Sequence, residues 1–331
     1  MAPALRLSAA IETWPIAGAF TISRGAKHEA VVVTAEVTDG RHTGRGECVP
    51  YPRYAETPAA ALAAISSLGP ALSLDRAALQ KAMPPCAARN ALDCALWDWE
   101  AKSTGKPAWR IAGTPAPAPV LTCYTISLAT PAEMAAKAAS VLHLPLLKLK
   151  LGAKGDAAGD IERMRAVRRA RPDARLVADA NEGWAAADLE RLLAVAAETG
   201  LETIEQPLPA DDDAILARVP HPIPICADES AHTADGLAAL RPRYDAVNIK
   251  LDKTGGLTHA LDMAAAARGQ GLRIMVGCMV ATSLAMAPAL LLAATADWAD
   301  LDGPLLLARD RAPGLAIDGG VIAPASQDLW G

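Results

Sequence analysis

The stretch RLVADANEGWAAADLERLLAVAAETGLETIEQP, residues 175–207, reads as a strand, a helical segment and a second strand. The apolar runs are 175–179 and 202–205, and each stops on an acid, Asp179 and Glu205. Strands that alternate with helices make βαβ units and a parallel sheet. The same rhythm holds on both sides of this stretch. Candidate strands lie at 120–125, 146–150, 175–179, 202–205, 224–227, 245–250, 272–276 and 298–302, with seven helical segments between them. Eight strands in about 185 residues point to an α/β chain of (β/α)7β TIM-barrel type, somewhat short for the class. An open doubly wound sheet is the alternative. No GxGxxG follows the first strand, and polar residues recur at the strand ends, where a barrel keeps its active site.

The first part of the chain has a different texture. Residues 29–38, EAVVVTAEVT, read as a strand closed by the turn signal Asp39-Gly40. Residues 57–68 are alanine-rich and helical in composition. Residues 87–103 carry Leu92, Ala95, Leu96 and Trp99 at helical spacing, and Gly105-Lys106-Pro107 stops that helix. The proline-rich run 112–119 reads as a linker.

Bulk properties narrow the class. The chain has 331 residues, long for one core, and 52% are hydrophobic, enough to bury a large domain and a smaller one. Net charge is −5, with no basic cluster, which argues against nucleic acid or anionic membranes as partners. No apolar run reaches the roughly 18 residues of a membrane span, and the N-terminus lacks a signal pattern. The expected setting is the cytoplasm. The cysteines, Cys48, Cys86, Cys94, Cys123, Cys226 and Cys278, are scattered without zinc spacing and read as reduced thiols.

In a barrel the eight strand ends form one ring. Here they end Tyr124-Thr125, Lys148-Leu149-Lys150, Asp179-Ala180-Asn181, Glu205-Gln206-Pro207, Asp228-Glu229-Ser230, Asn248-Ile249-Lys250, Gly277-Cys278-Met279 and Asp300-Leu301-Asp302. Asp179, Glu205 and Asp228 stand at three successive tips. Three close carboxylates repel unless a cation sits among them, and all-oxygen ligands suit a hard ion such as Mg²⁺. Helix capping is the bland role for any one of them. Lys148 and Lys150 alternate on one strand and so share a face, a proximity that is expected to lower their pKa and make a neutral base. Lys250 stands four strands on in a ring of eight and faces Lys150. One base on each side of a carbon is what racemisation requires. A proton α to a carboxylate is hard to remove unless a metal absorbs the charge that develops, and Lys148 can assist at the same oxygens.

The set KLK (148–150), DAN (179–181), EQP (205–207), ADES (227–230), NIKLDKTGG (248–256), GCM (277–279) and DLDGP (300–304) resembles the muconate-lactonising branch of the enolase superfamily. Within it the resemblance is to dipeptide epimerases, and SRG (23–25), GECVPYPRYAET (46–57) and ARNALDCALWD (88–98) resemble their capping domain. It implies a cap over 1–115 with the tail 306–331 packed back on it, and a catalytic barrel over 116–305. It implies Lys150 and Lys250 as the acid/base pair and Asp179, Glu205 and Asp228 as ligands of one Mg²⁺. Asp300 and Asp302, spaced to point to one side of the last strand, would hold a substrate α-ammonium group. Thr125, Lys148 and Cys278 would line the site, and Arg24 would meet the distal carboxylate of a Glu-containing dipeptide such as Ala-Glu. The implied setting is turnover of cell-wall peptides by a protein that could be a homo-oligomer. Ala55 departs from the pattern, standing where the family places glycine. Sister reactions share the metal and lysines: epimerisation of other dipeptides, N-acylamino acid racemisation, o-succinylbenzoate synthesis and muconate cycloisomerisation. A non-catalytic binding barrel is the alternative from another class.

Overall fold

The computed structural model describes residues 5–331. Its first part is a four-stranded antiparallel sheet in the order β3-β2-β1-β4, where β1 is Leu5–Ile22, β2 Gly25–Thr38, β3 Thr43–Cys48 and β4 Ala71–Leu72. In β2, Val33, Ala35 and Val37 are buried while Thr34 and Glu36 turn outward, the alternation of a strand with one covered face. The cover is α3 (Ala87–Thr104), supported by α1 (Pro58–Ser66) and α2 (Arg76–Ala82). Gly44 and Gly46 explain how closely α3 lies. A Cβ on either would sit 2.1 Å from a carbonyl oxygen of α3, Ala95 O and Ala91 O respectively. The long β1 and the short β3 lie outside the strands expected from sequence. β1 shifts register between Pro15 and Phe20, so period-two alternation does not persist along it.

The second part is an eight-stranded parallel sheet: β6 (Tyr124–Ile126), β7 (Leu146–Lys150), β8 (Arg175–Asp179), β9 (Leu201–Glu205), β10 (Ile225–Ala227), β11 (Ala246–Lys250), β12 (Arg273–Gly277) and β13 (Trp298–Asp300), each beside the next. A parallel bridge between Thr122 and Ala299 joins the first strand to the last, and Cys123 N–H donates to Ala299 O at 2.9 Å. The sheet is thus a nearly closed barrel. Its interior floor is one layer of side chains, among them Cys123, Leu146, Val177, Cys226, Ala246, Met275 and Trp298.

Two expectations are corrected. The strand expected at 120–125 is broken. Residues 120–121 (β5, Val120–Leu121) leave the barrel and pair antiparallel with β15 (Val321–Ile322), which also pairs with β14 (Ile317–Asp318). The helical segments after β9 and β10 are also weaker than expected. The first is a five-residue 3-10 turn, Ala214–Arg218, in a run holding Pro207, Pro209, Pro220, Pro222 and Pro224. The second is a 3-10 turn and the single turn α8 (Leu237–Leu240). The other connections carry α5 (Pro131–Ser140), α6 (Ala157–Ala170), α7 (Leu189–Glu198), α9 (Leu251–Thr254), α10 (Leu257–Gly269) and α11 (Ser283–Ala293), with α4 (Ala108–Ala112) before the barrel and α12 (Gly303–Leu306) after it. The C-terminal residues reach the first part: Trp330 Nε1 donates to Cys94 O and Gly331 N to Asp98 Oδ1. No helix is long and apolar enough to cross a membrane among the described residues.

Candidate active site

The rim at the C-terminal strand ends gathers an ionic chain. Asp179 ends β8, Glu205 ends β9, and Asp228 follows β10; all three are buried. Lys148 Nζ lies 3.5 Å from Asp179 Oδ2 and 2.5 Å from Glu205 Oε2. Lys250 Nζ lies 3.8 Å from Glu205 Oε1 and 2.6 Å from Asp228 Oδ2. The acids are therefore strung together through ammonium groups, and Lys150 Nζ adds a contact of 2.6 Å to Asp179 Oδ2. Three buried anions near one another demand such compensation.

The charges decide the proton affinities. Burial raises the Asp179 carboxyl, but Lys150 and Lys148 bring it down to about 2. Burial acts on Asp228 in the same way, and Lys250 and Lys253 hold it well below the usual range. Glu205 goes the other way, up to about 7, from burial and the negative charge of Asp179. The expectation of an acidified Lys148 is corrected here. Burial does disfavour its charge, yet Asp300, Glu205 and Asp179 outweigh burial and raise it well above the ordinary lysine value. Lys250 is raised for the same reason, by Asp228 and Glu205 against burial. The neighbouring carboxylates win.

A cavity of about 450 Å³, within the range of small-molecule sites, opens over this chain between the two parts of the fold. Arg24, Thr125, Lys150, Asp228, Lys250, Cys278, Asp300 and Asp302 line it, with Phe20 and Tyr54 from the first part. Lys148, Asp179 and Glu205 lie behind the lining. Lys150 and Lys250 are 7% and 6% exposed, so both amines are nearly dry but reachable.

Asp300 and Asp302 reach the cavity by different routes. Asp300 ends β13 and accepts from Lys148 Nζ at 2.5 Å through Oδ2. Asp302 lies beyond the strand, at the start of α12, and accepts the Thr125 N–H at 2.6 Å. The shared strand spacing expected from sequence does not hold, although both line the cavity. Burial and the charge of Asp300 push the Asp302 carboxyl up to about 7. Arg24, in the hairpin between β1 and β2, bridges to the barrel. It donates to Glu229 Oε1 at 2.8 Å and Asn181 O at 3.0 Å, and lies 3.3 Å from Glu182 Oε2.

Several residues carry the site without having been assigned from sequence. Lys253 Nζ donates to Asp228 Oδ1 and Asp228 O, both at 2.6 Å, and to Asn248 O at 3.0 Å. Asn248 Nδ2 donates to Glu205 Oε1 at 2.7 Å. Gln206 Oε1 accepts the Asp228 and Ser230 N–H groups. Asn181, Glu182 and Gln206 have positive φ (44°, 66° and 34°), just past Asp179 and Glu205. Strained backbone of this kind costs about 1–3 kcal/mol per residue and collects at functional rims. Lys253 had a signal in sequence, since it follows Lys250 by one helical turn. Gln206 and Asn248 carry a signal only as members of the EQP and NIKLDKTGG runs.

Among the described residues no three His, Cys, Asp or Glu side chains are drawn into ready metal-ligand geometry. The donor set nevertheless fits a hard cation. Asp179, Glu205 and Asp228 offer only buried carboxylate oxygens, and lysine ammonium groups supply the positive charge among them. Buried oxygens without a partner also concentrate here: Asn181 Oδ1, Glu229 Oε2, Asn248 Oδ1 and Asp300 Oδ1.

A parallel barrel under an antiparallel cap, with lysines and acids on the barrel rim, defines the class. Residues 132–323 match the model described as enolase C-terminal domain-like, and residues 5–113 match the mandelate racemase / muconate lactonizing enzyme N-terminal domain. The chain belongs to this branch of the enolase superfamily. More particularly, it is a close homologue of the L-Ala-D/L-Glu epimerase of Escherichia coli, 48% identical over 92% of this chain and 95% of that protein. It is 41% identical to an N-acetyl-D-glutamate racemase from Pseudoalteromonas sp over 91% of this chain and 95% of that one. Among solved structures, an enolase family member from Agrobacterium tumefaciens with homology to dipeptide epimerases superposes with a TM-score of 0.94 at 54% identity. It covers 99% of this chain and 100% of its own, and holds bound sodium and L-Ala-L-Glu. Other similar structures are dipeptide epimerases complexed with Mg and a dipeptide.

Proposed function

We propose that this chain is a Mg²⁺-dependent dipeptide epimerase that inverts the α-carbon of the C-terminal residue of Ala-Glu by proton transfer between two lysines. One observation carries the reading: Lys150 and Lys250 stand on β7 and β11, four strands apart in a ring of eight, and line one cavity beside a buried carboxylate triad. Asp179, Glu205 and Asp228 would hold the ion, which supplies positive charge against the substrate carboxylate as its α-proton leaves. Lys150 takes or returns the proton on one face and Lys250 on the other. Lys250 must part from Asp228 to act as a base, because that ion pair stabilises its charged form. Lys148 stays protonated and faces the carboxylate oxygens. Asp300 offers its unpartnered Oδ1 to the α-ammonium group, with Asp302 beside it. Arg24 faces the acidic side chain, while Thr125 and Cys278 bound the cavity. The cap over 1–115, the tail 306–331 and the barrel over 116–305 form the working units in this reading.

The test is incubation with Mg²⁺ in D₂O and a panel of dipeptides. α-Deuteration of Ala-Glu with loss of optical purity is expected. A second reading, racemisation of N-acetylglutamate, is favoured by the Pseudoalteromonas relative. The paired acids Asp300 and Asp302 speak for a free ammonium group instead. Deuteration of N-acetylglutamate in preference to Ala-Glu would overturn the dipeptide assignment.

A further inference from the structure

Lys253 lies in a single helical turn, α9, too short to hold its own shape, and Lys250, the last residue of β11, leads directly into it. The carbonyls at the C-terminal end of α9, Thr254 O and Gly255 O, meet Arg89 of α3. Arg89 is fully buried. Its Nη2 donates to Thr254 O at 2.7 Å and its Nε to Gly255 O at 2.8 Å. A third donor, Nη1, reaches Met83 O at 3.0 Å, and Nη2 also lies 2.8 Å from His259 Nδ1.

The rest of α3 extends the seam. Asp93 accepts from Thr258 N and Oγ1 at 2.9 and 2.7 Å, Asn90 Nδ2 donates to Asp252 Oδ1 at 2.8 Å, and Trp97 Nε1 donates to Thr258 Oγ1 at 2.9 Å. The backbone is shaped to fit. Gly255 has φ 72° and Gly256 φ 119°, and a Cβ on them would lie 2.6 Å from Arg89 Nε and 2.5 Å from Asp93 Cβ. The fork of a guanidinium suits two adjacent carbonyls at a helix C-terminus, and its charge favours that end of the dipole.

We infer that Arg89 is a positioning residue for the reaction: by clamping the Thr254 and Gly255 carbonyls it fixes the turn that follows Lys250 and so sets the aim of Lys250 as a base. Arg89 touches neither the cavity nor the ionic chain, so its effect travels through α9. The inference rests on the two-lysine reading above, and its consequence is an asymmetry between the two bases. Lys150 stands on β7, four strands away, and does not depend on this clamp. A base displaced by about 1 Å loses on the order of 10²-fold in rate.

The test uses full-length Arg89→Lys and Arg89→Met with Mg²⁺ in D₂O, following the initial α-deuteration of L-Ala-L-Glu and L-Ala-D-Glu separately. Lys150→Ala and Lys250→Ala identify which isomer each base serves. For the Arg89 variants, exchange of the isomer served by Lys250 is expected to fall at least about tenfold, with exchange of the other within about threefold. A general loss of folded protein lowers both rates together and cannot produce that split. Equal loss on both isomers, or no loss on either, overturns the inference. Should Arg89→Met fail to fold, Arg89→Lys, which keeps the charge but not the fork, is judged by the same split. Wild-type protein that exchanges neither isomer overturns the two-lysine reading itself.

Discussion

Replacing Arg24 with methionine keeps most of the side chain's length and removes its charge, so it isolates the contact with an acidic side chain. A hydrogen bond to a charged group contributes about 1.5–3 kcal/mol net, and each 1.36 kcal/mol is tenfold in rate, so complete loss lowers kcat/KM for Ala-Glu by about 10–150-fold. Two structural facts favour the lower half of that span. The guanidinium already donates to Glu229 Oε1 at 2.8 Å and Asn181 O at 3.0 Å, so substrate must compete for it. Its side chain is 30% exposed, which lets water and salt screen the charge. The expected loss is therefore roughly 10–30-fold for Ala-Glu, and less than about threefold for Ala-Ala, which has nothing to offer Arg24. The variant should fold, because Glu229, pushed up to about 7 by burial and the charge of Asp228, takes up a proton when its partner is gone. The assay is steady-state epimerisation of the two dipeptides at fixed Mg²⁺ and moderate salt. An equal fall for both would show that Arg24 supports the fold and does not read the side chain.

Glu47→Gln should destabilise the protein by about 1–3 kcal/mol, the cost of weakened hydrogen bonds to a charged group, because Arg311 keeps its second carboxylate partner Glu12 at 2.6 Å. Glu47 accepts four hydrogen bonds, two from Thr282 of the barrel and two from Arg311 of the C-terminal tail, and a loss under about 1 kcal/mol in urea unfolding would contradict this. His221, whose Nδ1 lies 2.8 Å from Asp245 Oδ2, has its pKa raised above 6.5 by that bond. Its stabilising effect is full below pH 6.5 and fades as pH rises through the higher folded value. His221→Asn should therefore lower Tm more at pH 6 than at pH 9, and equal losses at both would refute the linkage. Ala55 occupies the left-handed region with φ 58°. An L residue there costs about 1–2 kcal/mol, and glycine's extra freedom when unfolded cancels about 0.5–1 of it. Ala55→Gly should raise Tm slightly, and a drop would show that the loop is not strained.

The barrel was legible because its strands are apolar runs of which almost every one ends on a charged or polar residue, and Asp179 and Glu205 mark two of those ends within one βαβ unit. The ring logic then carried over from strand order alone, which is why Lys150 and Lys250 could be paired from positions a hundred residues apart. Proton affinity was not legible in the same way. Lys148 and Lys150 are neighbours in sequence, but Glu205 and Asp300, which raise Lys148, come from distant strands. The closing edge of the barrel escaped for a related reason: Val120 and Leu121 look like any apolar strand, and only the distant Val321–Ile322 pair draws them off. Gly44 and Gly46 gave a signal that could have been used, since alternating glycines in a strand mark close approach by another backbone. The cap seam around Arg89 could not have been inferred, because a buried arginine on an amphipathic helix looks like an exposed one until its carbonyl partners are in place.

Stereoisomer-resolved deuterium exchange by Lys150→Ala and Lys250→Ala is the most direct measurement of whether two amines address one carbon from opposite sides. Each variant should lose epimerisation by at least about 10²-fold, while retaining α-exchange on one isomer, and the retained isomer should differ between the two. If both variants keep exchange on the same isomer, or either still epimerises at the wild-type rate, the two lysines do not flank the carbon.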